Sequence, residues 1–296
     1  MKTRSKVFLG LGIYLVLMIA VGVGFGSKRT TSDFLPQNEF KLDTWVNLPG
    51  PFDINKAVLY LVIAALLTVG TMIYIAKRMQ ARPNRVQTAV ETLYVLMRDN
   101  ITGGNMDNKM AAKWFPFIGS LFLFIWYSNL IGYIPLPTNI QEKFDLFGIQ
   151  VPAFALFAAT ANISIPLVLA LVVFVSFNVE GIRAKGFVGY FKSLVPAGIH
   201  GFGAIPLFLL ELMSTTMRLV SLSVRLFANI LAGHLIILFM SGGLAVLLGL
   251  EWVGVLALPL GIALFIFEVG LVATLQAFIF ATLSAIYIGG AVAESH

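Results

Sequence analysis

The stretch FGAIPLFLLELMSTTMRLVSLSVRLFANILAGHLIILFMSGGLAVLL, residues 202–248, decides the fold. It is almost wholly apolar and carries no proline after Pro206. As one helix it would be about 70 Å long, more than twice the ~30 Å of a bilayer's hydrocarbon core. It must break, leave the membrane or tilt strongly, and Gly242 and Gly243 offer break points. Residues 252–292 repeat the situation, with Pro259 near the start.

Shorter apolar runs lie upstream. Residues 57–76, 114–135 and 152–178 each have the length and composition of a membrane-crossing helix. Pro135 and Pro137 close the second, and a short loop with Glu142, Lys143 and Asp145 follows. In residues 86–101, Val86, Val90, Leu93, Leu96 and Met97 recur at helical spacing among polar neighbours. That pattern predicts an amphipathic helix lying in the interface. Residues 7–26, preceded by Lys2, Arg4 and Lys6, read either as a retained anchor or as a signal-like segment. Residues 27–55 read as an extracytoplasmic loop, and 56–296 as the membrane domain.

Composition agrees. Only 11% of the 296 residues are charged, against about 25% in a soluble domain. The expected fold is an all-α integral membrane protein, with five to six membrane-embedded helices plus the interfacial helix. No cysteine is present, so disulfides and thiolate metal sites are excluded; no metal or other cofactor is expected. The net charge of +6 does not indicate nucleic acid, because the basic residues border apolar spans. Thirteen of the 20 Lys and Arg fall in residues 2–6, 77–113 and 183–192. The positive-inside rule puts these segments, and the C-terminus, in the cytoplasm.

Five ionisable groups interrupt the long runs: Glu211, Arg218, Arg225, His234 and Glu268. A charge at the bilayer centre costs about 2.5–3.5 kcal/mol on insertion scales and marks a pathway or a paired site. Snorkelling accounts for Glu251 and could account for Glu211, but it accounts poorly for Arg225. Glu211, Ser214, Arg218, Ser221, Arg225 and Asn229 follow one another at spacings of three and four, one polar stripe along a helix. His234, nine residues after Arg225, points about 180° away. Ala228, Ala232 and Gly233 permit close approach of another helix, and Glu268 and Gln276 supply matching polar groups on the last segment. Two helices held by interhelical hydrogen bonds would also explain the stripe, although Ser and Asn would serve that purpose without a full charge. Arginine cannot relay a proton, whereas His and Glu can. An Arg barrier beside a His/Glu pair is the composition of a gated ion path.

These residues carry a family resemblance. SLSVRLFANILAGHLI (221–236) is similar to the signature helix of subunit a of F-type ATP synthases, and LQAFIFATLSAIYI (275–288) to its last helix. FPFIGSLFLFIWYSNLIGYIP (115–135) and GYFKSLVP (189–196) resemble an earlier span and the loop before the signature helix. The resemblance covers roughly residues 55–292. It implies that Arg225 is the family's stator arginine, that Asn229, Gln276, Ser221 and Glu211 are its polar companions, and that His234 and Glu268 form a swapped His/Glu pair. Glu268 stands one residue further from Gln276 than the family pattern, where Val269 takes the literal position. The resemblance further implies a long tilted C-terminal hairpin, at about 202–292, packed on a ring of rotor c subunits. Two offset half-channels would load and unload protons on the rotor carboxylates, separated by Arg225, with Arg218 also on the path. Peripheral stalk b subunits, the remaining ATP synthase subunits and the lipid bilayer of the cell inner or plasma membrane are the implied partners. No nucleotide-binding loop of the G-x-x-x-x-G-K-[ST] type is present, so no catalytic residue is assigned and ATP chemistry falls to other subunits. Two other readings remain: a secondary transporter with a midplane ion site, disfavoured by the lack of a repeat, and an assembly subunit without ion flux.

Overall fold

A computed structural model describes residues 44–46, 54–77, 79–80, 84–146, 149–195, 203–240 and 251–292. The expected anchor at 7–26, most of the loop at 27–55 and the break points Gly242 and Gly243 lie outside these residues. The chain divides into two compact units; the larger holds Glu39–His234 and Ile266–His296, and the smaller includes Leu235–Phe265.

In the larger unit, strands β1 (Thr44–Val46) and β2 (Ile54–Asn55) form a short antiparallel pair. Helix α1 (Lys56–Lys77) is uniformly apolar and ends on Lys77. Helix α2 (Arg85–Val95) is started by Asn84, whose side chain accepts the Gln87 N–H at 2.8 Å. It continues as a π-helical stretch, Leu96–Gly103. Helix α3 (Asn108–Gly132) stops where Pro135 and Pro137 approach.

The connection after α3 departs from the sequence expectation. The loop expected around Glu142, Lys143 and Asp145 belongs to strand β3 (Leu136–Leu146), which pairs antiparallel with β4 (Ile149–Ala155). The span expected from residue 152 begins instead at Ser164, as helix α4 (Ser164–Lys185). Hydropathy alone does not separate a short apolar strand from the start of a helix. Asn162 Oδ1 accepts the Ser164 N–H at 3.0 Å at the true helix start.

Gly186, with φ +75°, ends α4 in a conformation open mainly to glycine and turns the chain into helix α5 (Phe187–Ser193). Tyr190 of α5 docks on Gly181 of α4, where any Cβ would overlap its ring. Its hydroxyl donates to Asn178 Oδ1 at 2.9 Å, and burial pushes the phenol above its usual pKa, keeping it a neutral donor. Helix α6 (Ala204–Leu238) follows. Helix α7 (Glu251–Phe267), a π turn at Glu268–Val272 and helix α8 (Ala273–Val292) close the chain.

The core of the larger unit is built by α3, α4, α6 and α8, around Phe122, Ile125, Val173, Leu226, Ile230, Phe280 and Ile288. Ala273, Ala277, Ala281 and Ala285 form a buried ridge of small side chains on α8, which lets neighbouring backbones approach. Within the smaller unit, a Cβ at Gly261 would lie 3.4 Å from Met240.

Five helical segments among the described residues are long and apolar enough to cross a membrane, ending with Ala204–Leu238 and Ala257–Val292. This is an all-α multi-pass membrane protein with short strand pairs in its connections. The last two segments, 35 and 36 residues, remain about 50 Å long, so each exceeds the hydrocarbon thickness as the sequence requires.

Adding one methyl at Gly181 should displace the Tyr190 ring and break its bond to Asn178. Gly181→Ala is expected to destabilise the protein by about 1–3 kcal/mol, read as a lower unfolding midpoint in detergent; an unchanged midpoint would mean that α5 is not tightly docked.

Candidate functional site

Helix α6 separates the ionisable groups by face. Leu222, Leu226, Ile230, Gly233 and His234 are buried, whereas Ser214, Ser221, Arg225 and Asn229 are exposed. Arg225 and His234 thus look in different directions, as the nine-residue spacing requires.

The two arginines of the stripe differ in satisfaction. Arg218 pairs with Glu211 at 3.2 Å and lies over the Tyr287 ring at 5.5 Å. Glu211 and Ser214 also line an open cleft with Leu194, Leu207 and Met217. Arg225, two turns further on, has no carboxylate partner among the described residues. Exposed Ser221 and Asn229 flank it one turn away on the same face, and exposed Val220 and Val224 lie to the side.

On the buried side, three elements converge. The Tyr133 hydroxyl, just past the end of α3, donates to Glu268 Oε2 at 3.2 Å. The Tyr133 and His234 rings lie 4.5 Å apart between centroids, tilted by 32°. The Glu268 carboxylate rests on the bare backbone of Gly233, where a Cβ would overlap all its atoms. His234 Nδ1 is 3.0 Å from the Ile230 carbonyl and Nε2 3.2 Å from the Gly132 carbonyl. Carbonyl oxygens only accept, so a neutral imidazole, with one N–H, satisfies one of them and the imidazolium both. The two carbonyls fix the orientation of the His234 ring, while the Glu268 carboxylate sits against the neighbouring Gly233.

The π turn explains how Glu268 reaches this place. Eight residues of α-helix would set Glu268 roughly 80° away from the face of Gln276. In the turn, Ala273 N–H donates to Glu268 C=O, five residues back, which absorbs one extra residue. Glu268 and Gln276 are consequently both buried, while Val269 is half-buried and Gly270 exposed. Just beyond the turn, α3 grips the start of α8: Trp126 Nε1 donates to Thr274 Oγ1 at 3.0 Å, and Asn129 Nδ2 to the Ala273 carbonyl at 3.3 Å. Thr160 in turn donates to Asn129 Oδ1 at 2.7 Å.

Comparison with known proteins agrees with this architecture. The family model described as ATP synthase A chain matches residues 58–289. The chain belongs to the ATP synthase A chain family. It is 36% identical to ATP synthase subunit a of Bradyrhizobium diazoefficiens, over 82% of this chain and 89% of that one. It is 35% identical to ATP synthase subunit a of Rubrobacter xylanophilus, over 79% and 83% respectively.

Seen as a member of the ATP synthase A chain family, the chain shows which site residues charge and spacing reveal and which they do not. Gly233 is legible as a position of close approach, whereas Tyr133 and Asn129 are not, because one is an aromatic at a helix end and one a lone amide. The pairing of Lys113 with buried Glu180, joining α3 to α4, leaves no such trace either, since Glu180 stands between an apolar run and the basic segment 183–192.

If the π turn sets the register, deleting Gly270 should convert it to α-helix and leave Glu268 buried and the protein folded. Deleting Ile279, inside α8, should rotate half that helix out of the core. Folded yield in membranes should therefore survive the first deletion and collapse with the second; equal loss in both would contradict the register role.

Proposed function

We propose that this chain is the proton-translocating stator subunit of a rotary ATP synthase. The observation that carries the reading is Arg225: a guanidinium on the outside of an apolar 35-residue helix, with no carboxylate partner among the described residues. A permanent charge at such a position is costly unless another surface covers it. A ring of rotor c subunits, each with a mid-membrane carboxylate, is the occupant that supplies the missing charge.

In this reading the protein performs no covalent chemistry. Protons enter by an outer half-channel, in which His234 and Glu268 exchange them with Gln276 and Asn229 nearby. They neutralise a rotor carboxylate, which can then leave Arg225 and rotate into lipid. After nearly a full turn they leave by an inner half-channel along Glu211, Arg218 and Ser221, where the cleft beside Glu211 admits water. The guanidinium of Arg225 attracts each returning carboxylate in its charged form and bars proton hopping between the half-channels. The peripheral stalk b subunits and the remaining ATP synthase subunits hold the chain still in the cell membrane. The basic segments at 77–113 and 183–192 and the C-terminus face the cytoplasm.

Substitution of Arg225 by Ala should produce two separable defects in reconstituted vesicles with an imposed pH gradient. Proton-driven ATP synthesis should be abolished, and a passive proton leak should appear. Arg225→Lys should restore little, because an ammonium lacks the planar fork and can lose its proton when desolvated. Near-normal synthesis by the alanine variant would make Arg225 structural and end this reading.

The orientation has its own test. In this cysteine-free chain, a cysteine replacing Lys185 should react only with reagent on the cytoplasmic side; labelling from outside intact cells would reverse the topology.

A further inference from the structure

The pair His234 and Glu268 does not stand alone: a third titratable side chain joins it. Among the described residues, Tyr133, His234 and Glu268 are the titratable groups that face one another here, brought by the end of α3, by α6 and by the π turn. Tyr133 is buried, at 3% exposure, as are His234 at 4% and Glu268 at 9%. A phenol hydroxyl in such a place needs a partner, and Glu268 Oε2 provides one at 3.2 Å. A purely packing aromatic at this position would need no hydroxyl.

We infer that Tyr133 is a positioning residue of the proton path: its hydroxyl holds the Glu268 carboxylate on Gly233 while its ring packs against the His234 ring. The inference rests on the reading of His234 and Glu268 as proton-path residues. The geometry assigns Tyr133 two tasks. The 4.5 Å ring contact restricts rotation of the imidazole away from its two carbonyl acceptors. The hydroxyl donates to the charged form of Glu268 and so favours it over the protonated form. Without that donor, the carboxylate would swing free of the Gly233 shelf.

Tyr133→Phe removes the hydroxyl and keeps the ring. The test is ATP-driven proton pumping by the whole purified complex in liposomes, followed against pH on the outer side. Loss of this hydrogen bond to the carboxylate should displace the pH profile of pumping from that of the unsubstituted complex. In a Glu268→Gln background the same substitution should add no further shift, because the carboxylate it serves is gone. An unmoved profile overturns the inference, and so does an equal effect in both backgrounds. A Tyr133→Phe complex that fails to assemble also overturns it, since the phenyl ring preserves the packing. His234→Leu separates the two levels. If it leaves pumping unchanged, the underlying reading falls and this inference with it. If it slows pumping while Tyr133→Phe moves nothing, only the role of Tyr133 falls.

Discussion

An ionised group inside hydrocarbon must be compensated, and this constraint organises the whole molecule. Buried Glu180 is met by Lys113, with Arg183 at 4.0 Å. Glu211 and Arg218 meet each other. Glu268 is met by Tyr133, whose ring packs on a His234 held between two backbone carbonyls. Only among such settled neighbours does an exposed, unmatched Arg225 acquire meaning. These three charged sites are closed within the chain, and Arg225 is closed by another subunit in the proposed assembly. Because buried ion pairs barely repay their desolvation, that external pairing is readily released when the carboxylate takes up a proton.

Close backbone approach is the second requirement. Gly233 gives the Glu268 carboxylate its shelf, and Gly181 admits Tyr190. At Gly132, a Cβ would lie 2.5 Å from that of Ala158, so the end of α3 can present its carbonyl to His234 only as glycine. The alanine ridge of α8 serves the same end along a whole helix. These small residues stabilise little by themselves; they set how near the polar groups can come.

Much of this was legible in the sequence. Long apolar runs fixed the number and rough bounds of the spans, because length against bilayer thickness is a hard limit. The spacing of Glu211, Arg218, Arg225 and Asn229 marked one stripe, and the nine residues to His234 set that residue apart. What escaped depends on geometry that periodicity does not encode. The end of the strand pair, from residue 152 to 155, is apolar enough to pass for the start of a helix, and its polar first strand reads as a loop. The π turn is a backbone event whose sequence trace, a one-residue offset between Glu268 and Gln276, looks like a mismatch. Tyr133 carries no charge, so nothing distinguishes it from other interfacial aromatics until its hydroxyl is seen beside Glu268.

The central claim is that the exposed face of α6 around Arg225 is covered by a rotor carboxylate. Asn229 lies one turn from Arg225 on that face, and the chain has no native cysteine. The most direct measurement is disulfide cross-linking in membranes between a cysteine replacing Asn229 and one placed beside the carboxylate of the c subunit. The account predicts a high-yield cross-link that stops ATP-driven rotation and reverses on reduction. Failure to cross-link, with the cysteine at 229 reacting instead with a lipid-soluble reagent in the assembled complex, would contradict it.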